Sequence, residues 1–180
     1  MEYPITVLGS GGSGKSALII RFTNGKFVKK YDPTLEDIYR KHIRIDNDAY
    51  VLNIRDTAGQ QEYEHLRNEY IKTGKGFVFV FSLTSRESFD YVRKVFVTTK
   101  RLTGQSKIPA LLVGNKSDLE DNIQISDSEA EKLADFLECD FIKCSAKTNF
   151  NVSRVFHNIT RLMVSEKTLG PPKKHSCTIL

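Results

Sequence analysis

The chain has 180 residues, 39% of them hydrophobic, with 27 Lys+Arg against 22 Asp+Glu and a formal net charge of +5. That length and apolar share suit one compact domain, and the basic excess is too thinly spread to form the dense stripe of a nucleic-acid binder, so no nucleic-acid partner is expected. Three cysteines, Cys139, Cys144 and Cys177, argue for a reducing compartment rather than a disulfide scaffold. No apolar run reaches the ~20 residues that cross a bilayer. The opening residues lack the pattern of a secretory signal, and Glu2 stands where N-myristoylation requires glycine.

Tyr3 to Leu8 reads as a buried strand. It runs into Gly9-Ser10-Gly11-Gly12-Ser13-Gly14-Lys15-Ser16, which has the G-x-x-x-x-G-K-[ST] spacing of a phosphate-binding loop, and a helix is expected from Lys15 to about Thr23. Glycines let successive N–H groups converge on one point, and the new helix adds its own free N–H groups and dipole. Lys15 supplies a mobile charge for the outer phosphates and Ser16 a hydroxyl for magnesium. Asn24-Gly25 ends the helix. A polar stretch to Asp37 contains Tyr31-Asp32-Pro33-Thr34, where Pro33 forbids a helix. Ile38 to Ile45 and Tyr50 to Ile54 read as an antiparallel hairpin turning at Asp46-Asn47-Asp48.

Asp56-Thr57-Ala58-Gly59-Gln60 follows the second hairpin strand, with Arg55 expected to point outward and a short helix expected to about Thr73. Gly76 to Ser82 is a continuous apolar strand suited to burial on both faces. Thr84 with Glu87 reads as a capping box for a helix with Phe89, Val92, Phe96 and Thr99 on its core face. Pro109 to Gly114 is another buried strand, ending at Asn115-Lys116-Ser117-Asp118. Ser126 with Glu129 caps a helix to about Leu137, Asp140 to Cys144 is the last strand, and Ser145-Ala146-Lys147 precedes a final helix from near Asn151. Alternating strands and helices give an α/β class with a mainly parallel sheet. Ligands of such sheets sit at the carboxyl ends of the strands, where every polar motif of this chain falls.

In these motifs and their order the chain resembles a Ras-family small GTPase: Gly9–Ser16, Tyr31–Asp37 as YDPTLED, Asp56–Tyr63 as DTAGQQEY, Asn115–Asp118 as NKSD, Ser145–Lys147 as SAK, and the C-terminal CTIL. The resemblance implies a P-loop NTPase fold, with a six-stranded, mostly parallel sheet, one antiparallel edge strand and about five flanking helices. It implies a GTPase domain over 1–168 and a membrane-anchoring tail over 169–180. By the same resemblance, Gly11, Gly12, Ser13, Gly14, Lys15, Ser16, Ala17, Thr34 and Gly59 meet the phosphates of GTP or GDP. Phe27, Val28, Asn115, Lys116, Asp118, Leu119, Ser145, Ala146 and Lys147 meet the guanine and ribose. The Asp118 carboxylate accepts from the guanine ring N–H and amine, a donor pair that adenine lacks. Ser16, Thr34 and Asp56 hold magnesium, Asp56 through water.

The resemblance further implies slow GTP hydrolysis, with Gln60 aligning water and Lys15 and Gly59 at the reacting phosphate, accelerated by an activating protein's arginine. A side chain at Gly11 should block that arginine. Tyr31, Asp32, Pro33, Thr34, Leu35, Glu36, Asp37, Ile38 and Tyr39 form the effector segment, expected to pair with a Ras-binding or Ras-association domain. Exchange factors and activating proteins complete the partner set. Lys29 and Lys30 depart from Ras toward Rap, whereas Gln60 is Ras-like. Cys177 begins a prenylation box whose terminal Leu180 favours geranylgeranyl, and Lys173 and Lys174 add attraction to an anionic leaflet. The expected location is the cytoplasmic face of the plasma membrane. A GTP-locked binding module would lack Gln60, and a P-loop nucleotide kinase would not need Asn115–Asp118.

Overall fold

The computed structural model describes residues 2–28, 36–57 and 64–168. Expectations for Tyr31, Asp32, Pro33, Thr34, Leu35, Gly59, Gln60 and Cys177 therefore lie outside the described residues. The elements in order are β1 (Glu2–Leu8), α1 (Lys15–Asn24), β2 (Glu36–Ile45), β3 (Asp48–Thr57), α2 (Glu64–Thr73), β4 (Gly76–Ser82), α3 (Arg86–Thr103), β5 (Ala110–Asn115), α4 (Asp127–Leu137), β6 (Asp140–Lys143) and α5 (Val152–Thr168).

One six-stranded sheet has the order β2-β3-β1-β4-β5-β6. Every pairing is parallel except β2 with β3. The fold is the P-loop α/β architecture expected above. Strand order departs from β1 in both directions, so the carboxyl end of β1 is the topological switch point where such sheets bind ligands.

The apolar run of β4 is buried along its whole length. Its side chains alternate between two cores. Val78 and Val80 join Ile5, Val7, Leu18 and Phe156 beneath α1 and α5. Phe77, Phe79 and Phe81 join Ile71, Val92, Phe96 and Leu133 beneath α2, α3 and α4. Phe79 meets Phe96 edge-on at 5.4 Å between ring centroids, a geometry that adds to the burial itself.

The hairpin is longer than its sequence suggests. Ile45 pairs with Asp48, and Asp46 (φ 50°) and Asn47 (φ 73°) form a two-residue turn with both backbones left-handed. That turn matches the twist of the flanking strands and selects Asn and Asp. Pairing then continues to Glu36↔Thr57. The capping box expected at Thr84 and Glu87 does not form, and the N-cap lies one residue later. Ser85 is the N-cap of α3, accepting from the Ser88 N–H. The Thr84 hydroxyl bonds the Ser82 hydroxyl at 2.8 Å instead. Ser126 and Glu129 form the complete capping box of α4.

Candidate functional site

The loop between β1 and α1 is shaped by close approaches that only glycine allows. A Cβ on Gly9 would lie 2.1 Å from the Val80 carbonyl oxygen, so β4 closes the loop from beneath. Gly14 has φ 94° and a Cβ there would lie 2.3 Å from Asn115 Nδ2, so β5 closes it from the side. Ser13, buried, donates its hydroxyl to Ser10 O at 2.9 Å. Gly11 and Gly12 form the exposed rim. Gly14 provides no side-chain cap and the first turn of α1 carries no acidic residue, so the positive end of the helix at Lys15, Ser16 and Ala17 faces the loop.

Lys15 is only 6% exposed and its ammonium donates to Gly9 O at 3.0 Å and Ser10 O at 2.9 Å. Burial lowers its pKa to about 8, with Asp56 opposing the shift and Arg67 adding to it. The sign follows. Below pH 8 both folded and unfolded chains carry the charge and the burial penalty stands in full. Between pH 8 and the unfolded value of 10.5 the folded chain sheds the proton first, so stability rises with pH. In urea unfolding without ligand, the wild type should gain about 2 kcal/mol on Lys15→Met between pH 7 and pH 10. A constant difference would mean that the ammonium is fully compensated where it sits.

The loops after β5 and β6 interlock with this one through Asn115, which is 1% exposed. Its Nδ2 donates to Ser13 O (3.2 Å) and Gly14 O (3.4 Å), and its Oδ1 accepts from the Ala146 N–H (3.2 Å). Lys116 adopts φ 66°, and its ammonium reaches Gly12 O at 2.7 Å, so the lysine stem lies across the interval between the two loops. Desolvation lowers its pKa. Asp118 accepts from the Ser145 hydroxyl at 2.6 Å, and Lys147 approaches its other oxygen at 3.9 Å. Its side chain is 12% exposed, leaving an edge open to a donor pair. Phe27 packs against the core as a half-buried ring, while Val28 and Leu119 are exposed.

Asp56 is fully buried at the carboxyl end of β3, paired in register with Val7 of β1 and Asp37 of β2. Thr57 donates to Val7 O at 2.7 Å and fixes that end of the strand. Asp56 and the half-buried Ser16 offer hard oxygen donors, the chemistry that suits magnesium held jointly with phosphate. Among the described residues no group of three or more His, Cys, Asp or Glu could hold a metal by itself.

A family model described as "Ras family" matches residues 4–165. The chain belongs to the Ras family. It is 46% identical over 162 residues to Ras-like protein 1 of Saccharomyces cerevisiae, a match covering 90% of this chain and 52% of that protein. The chain thus spans about half the length of the curated relative it matches.

On this Ras-family frame Asp37, Ile38 and Tyr39 lie in β2, the edge strand, with Ile38 half exposed and Tyr39 packed against the core. Burial, then Asp37, pushes the Tyr39 hydroxyl up to about 12. Two arginines carry no motif, and a third, Arg55, has a partner that strand alternation does not reveal. Arg21, in the last turn of α1, donates to Ala146 O (2.8 Å), Lys147 O (2.6 Å) and Gly25 O (2.9 Å), so it fastens α1 to the loop after β6. Arg67 of α2 is buried, and its charge adds to the lowering of the Lys15 pKa. Arg55 leaves the Ile54 face of β3 as expected, but α2 covers it. It bonds Tyr70 O rather than pointing into solvent. Lone basic residues carry no spacing signal, and only the three-dimensional arrangement exposes their partners.

Proposed function

We propose that this Ras-family chain is a guanine-nucleotide switch that binds GTP and GDP and hydrolyses GTP slowly. The observation that carries the reading is the side chain of Asn115, which ties the phosphate loop to the Ala146 loop beside Asp118. A phosphate grip and a base-reading carboxylate are thereby held in one frame. Asp118, oriented by Ser145, accepts from the guanine N–H and amine, and the Ala146 N–H region meets the guanine oxygen. Lys116 covers one side of the ring and Phe27 packs near the other.

The N–H groups from Gly12 to Ala17 cradle the phosphates, and the Lys15 ammonium turns from its carbonyl partners to the outer ones. Ser16, Thr34 and Asp56 are the residues that would hold magnesium, which supplies neutralisation of phosphate charge when bound. Gln60 orients the attacking water, and the N–H groups of Thr34 and Gly59 meet the third phosphate. Loss of those two contacts on hydrolysis alters the segments about Lys29–Asp37 and Gly59–Thr73, which makes conformation the output. Exchange factors, activating proteins and effectors with a Ras-binding or Ras-association domain would read that output, effectors pairing with the β2 edge. Cys177 would carry a geranylgeranyl group and place the switch on the cytoplasmic face of the plasma membrane, with Lys173 and Lys174 as the second signal.

The experiment is single-turnover hydrolysis of bound GTP with and without an activating protein, for the wild type and Gln60→Leu. The wild type should be strongly stimulated, and the variant should lose at least about 100-fold of the stimulated rate while still retaining GTP. A stimulated rate unchanged by the substitution would remove Gln60 from the chemistry. A chain that prefers ATP would overturn the switch reading itself.

A further inference from the structure

Arg55 immediately precedes Asp56 on β3 and projects to the opposite side of the sheet, where α2 lies. Its Nη1 donates to Tyr70 O at 3.1 Å and to the Thr73 hydroxyl oxygen at 2.6 Å. The guanidinium carbon stands 5.2 Å from the centroid of the Tyr70 ring, within cation–π range. From β1, Thr6 donates its hydroxyl to the same Tyr70 carbonyl at 3.1 Å.

Tyr70 O belongs to the last turn of α2, where carbonyls run out of intrahelical partners. The Gly74 N–H bonds to Ile71 O, and the Lys75 N–H to Pro4 O. The sheet therefore caps the helix from below. A cation at the negative end of the helix dipole adds to the hydrogen bonds, and a planar guanidinium can donate and stack at once. The other end of α2 is held differently. Glu64, His65 and Leu66 are exposed, and of the first four residues only Arg67 is buried.

We propose that Arg55 is a positioning residue that latches the C-terminal turn of α2 to β3, so that nucleotide-linked movement pivots about Tyr70–Thr73 and is confined to the residues before them. The proposal rests on the switch reading above, and it narrows the second moving segment from Gly59–Thr73 to the residues before Tyr70. Arg55 is one peptide unit from Asp56, so the latch and the metal-side carboxylate share a single rigid strand. The first half of α2, which follows Gly59 and Gln60, is free to respond to the third phosphate. The second half is not.

The test is amide hydrogen exchange on the full chain loaded with GDP or with a non-hydrolysable GTP analogue, for the wild type, Arg55→Leu and Arg55→Lys. In the wild type, peptides over Glu64–Arg67 should differ between the two nucleotides, and those over Tyr70–Gly74 should agree within about twofold. In Arg55→Leu the Tyr70–Gly74 amides should exchange about tenfold faster and become nucleotide-dependent, with β4 and α5 unchanged. Arg55→Lys keeps the charge without the planar fork and should fall between the two.

Unchanged exchange over Tyr70–Gly74 in Arg55→Leu would overturn the latch. So would acceleration spread evenly over β4 and α5, which is loss of global stability. The same pair measured without nucleotide separates the two readings. A chain that retains no guanine nucleotide refutes the switch, while tenfold acceleration over Tyr70–Gly74 still supports the latch and its absence overturns it.

Discussion

Asn115→Ala should release guanine nucleotide at least about 100-fold faster than the wild type and lower stability by about 2–4 kcal/mol. The side chain is buried and bonds two carbonyls of the phosphate loop and one N–H of the loop after β6. Alanine leaves those groups without their partner in a place water reaches poorly, and unmade buried hydrogen bonds cost more than made ones contribute. It also removes the amide that a Cβ at Gly14 would meet at 2.3 Å, so the loop loses that part of its lateral wall. Release of a fluorescent guanine nucleotide measures the first effect and urea unfolding of the nucleotide-free chain the second. A variant that is less stable yet holds nucleotide as long as before would show that the two grips do not depend on their tie.

Asp118→Asn should move base preference from guanine toward xanthine. The carboxylate offers two acceptors, which match the two donors of guanine. An amide offers one donor and one acceptor, which match the ring N–H and the 2-oxygen of xanthine. Ser145 donates to Asp118 Oδ1 at 2.6 Å, and an amide oxygen can accept the same bond, so the side chain keeps its orientation. The loss for GTP should be about 100–1,000-fold, the worth of a charge-assisted hydrogen bond plus a mismatched donor. Competition between GTP and xanthosine triphosphate reads the result. Equal losses for both would mean that Asp118 acts through Ser145 and the loop rather than on the base.

The parts of the molecule that repeat a local rule were legible from residues alone. The apolar run Gly76–Ser82 could only be a strand buried on both faces, and Gly9–Ser16 carries its own spacing. What escaped depends on contacts between distant segments. Arg21 reads as an ordinary basic residue near a helix end until Ala146 and Lys147 are brought to it by the sheet order. Arg55 obeys strand alternation, but alternation does not say whether the other face meets water or a helix. The cap of α3 shifted by one residue because Thr84 and Ser85 are both able caps, and periodicity fixes a boundary only to within a turn. Asn115 stands between these cases. Its motif was plain, whereas the three loops it joins required the fold.

The β2–β3 hairpin also has a use as an instrument. Its Asp46-Asn47 turn lies at the far end of strands whose other ends carry Asp37 and Asp56, which form the ninth pair from the turn. At about 3.3 Å per residue the hairpin is a ruler of roughly 30 Å, with the nucleotide end at one mark and a turn at the other. Arg161 of α5 reaches Asp46 at 3.3 Å across an exposed pair, which is a weak tether. A dye or a short inserted tag at Asn47, in a sequence that keeps both left-handed backbones, would sit on a rigid arm clear of every contact described for the nucleotide and for partners. That position can report on the orientation of the domain without entering the process it reports.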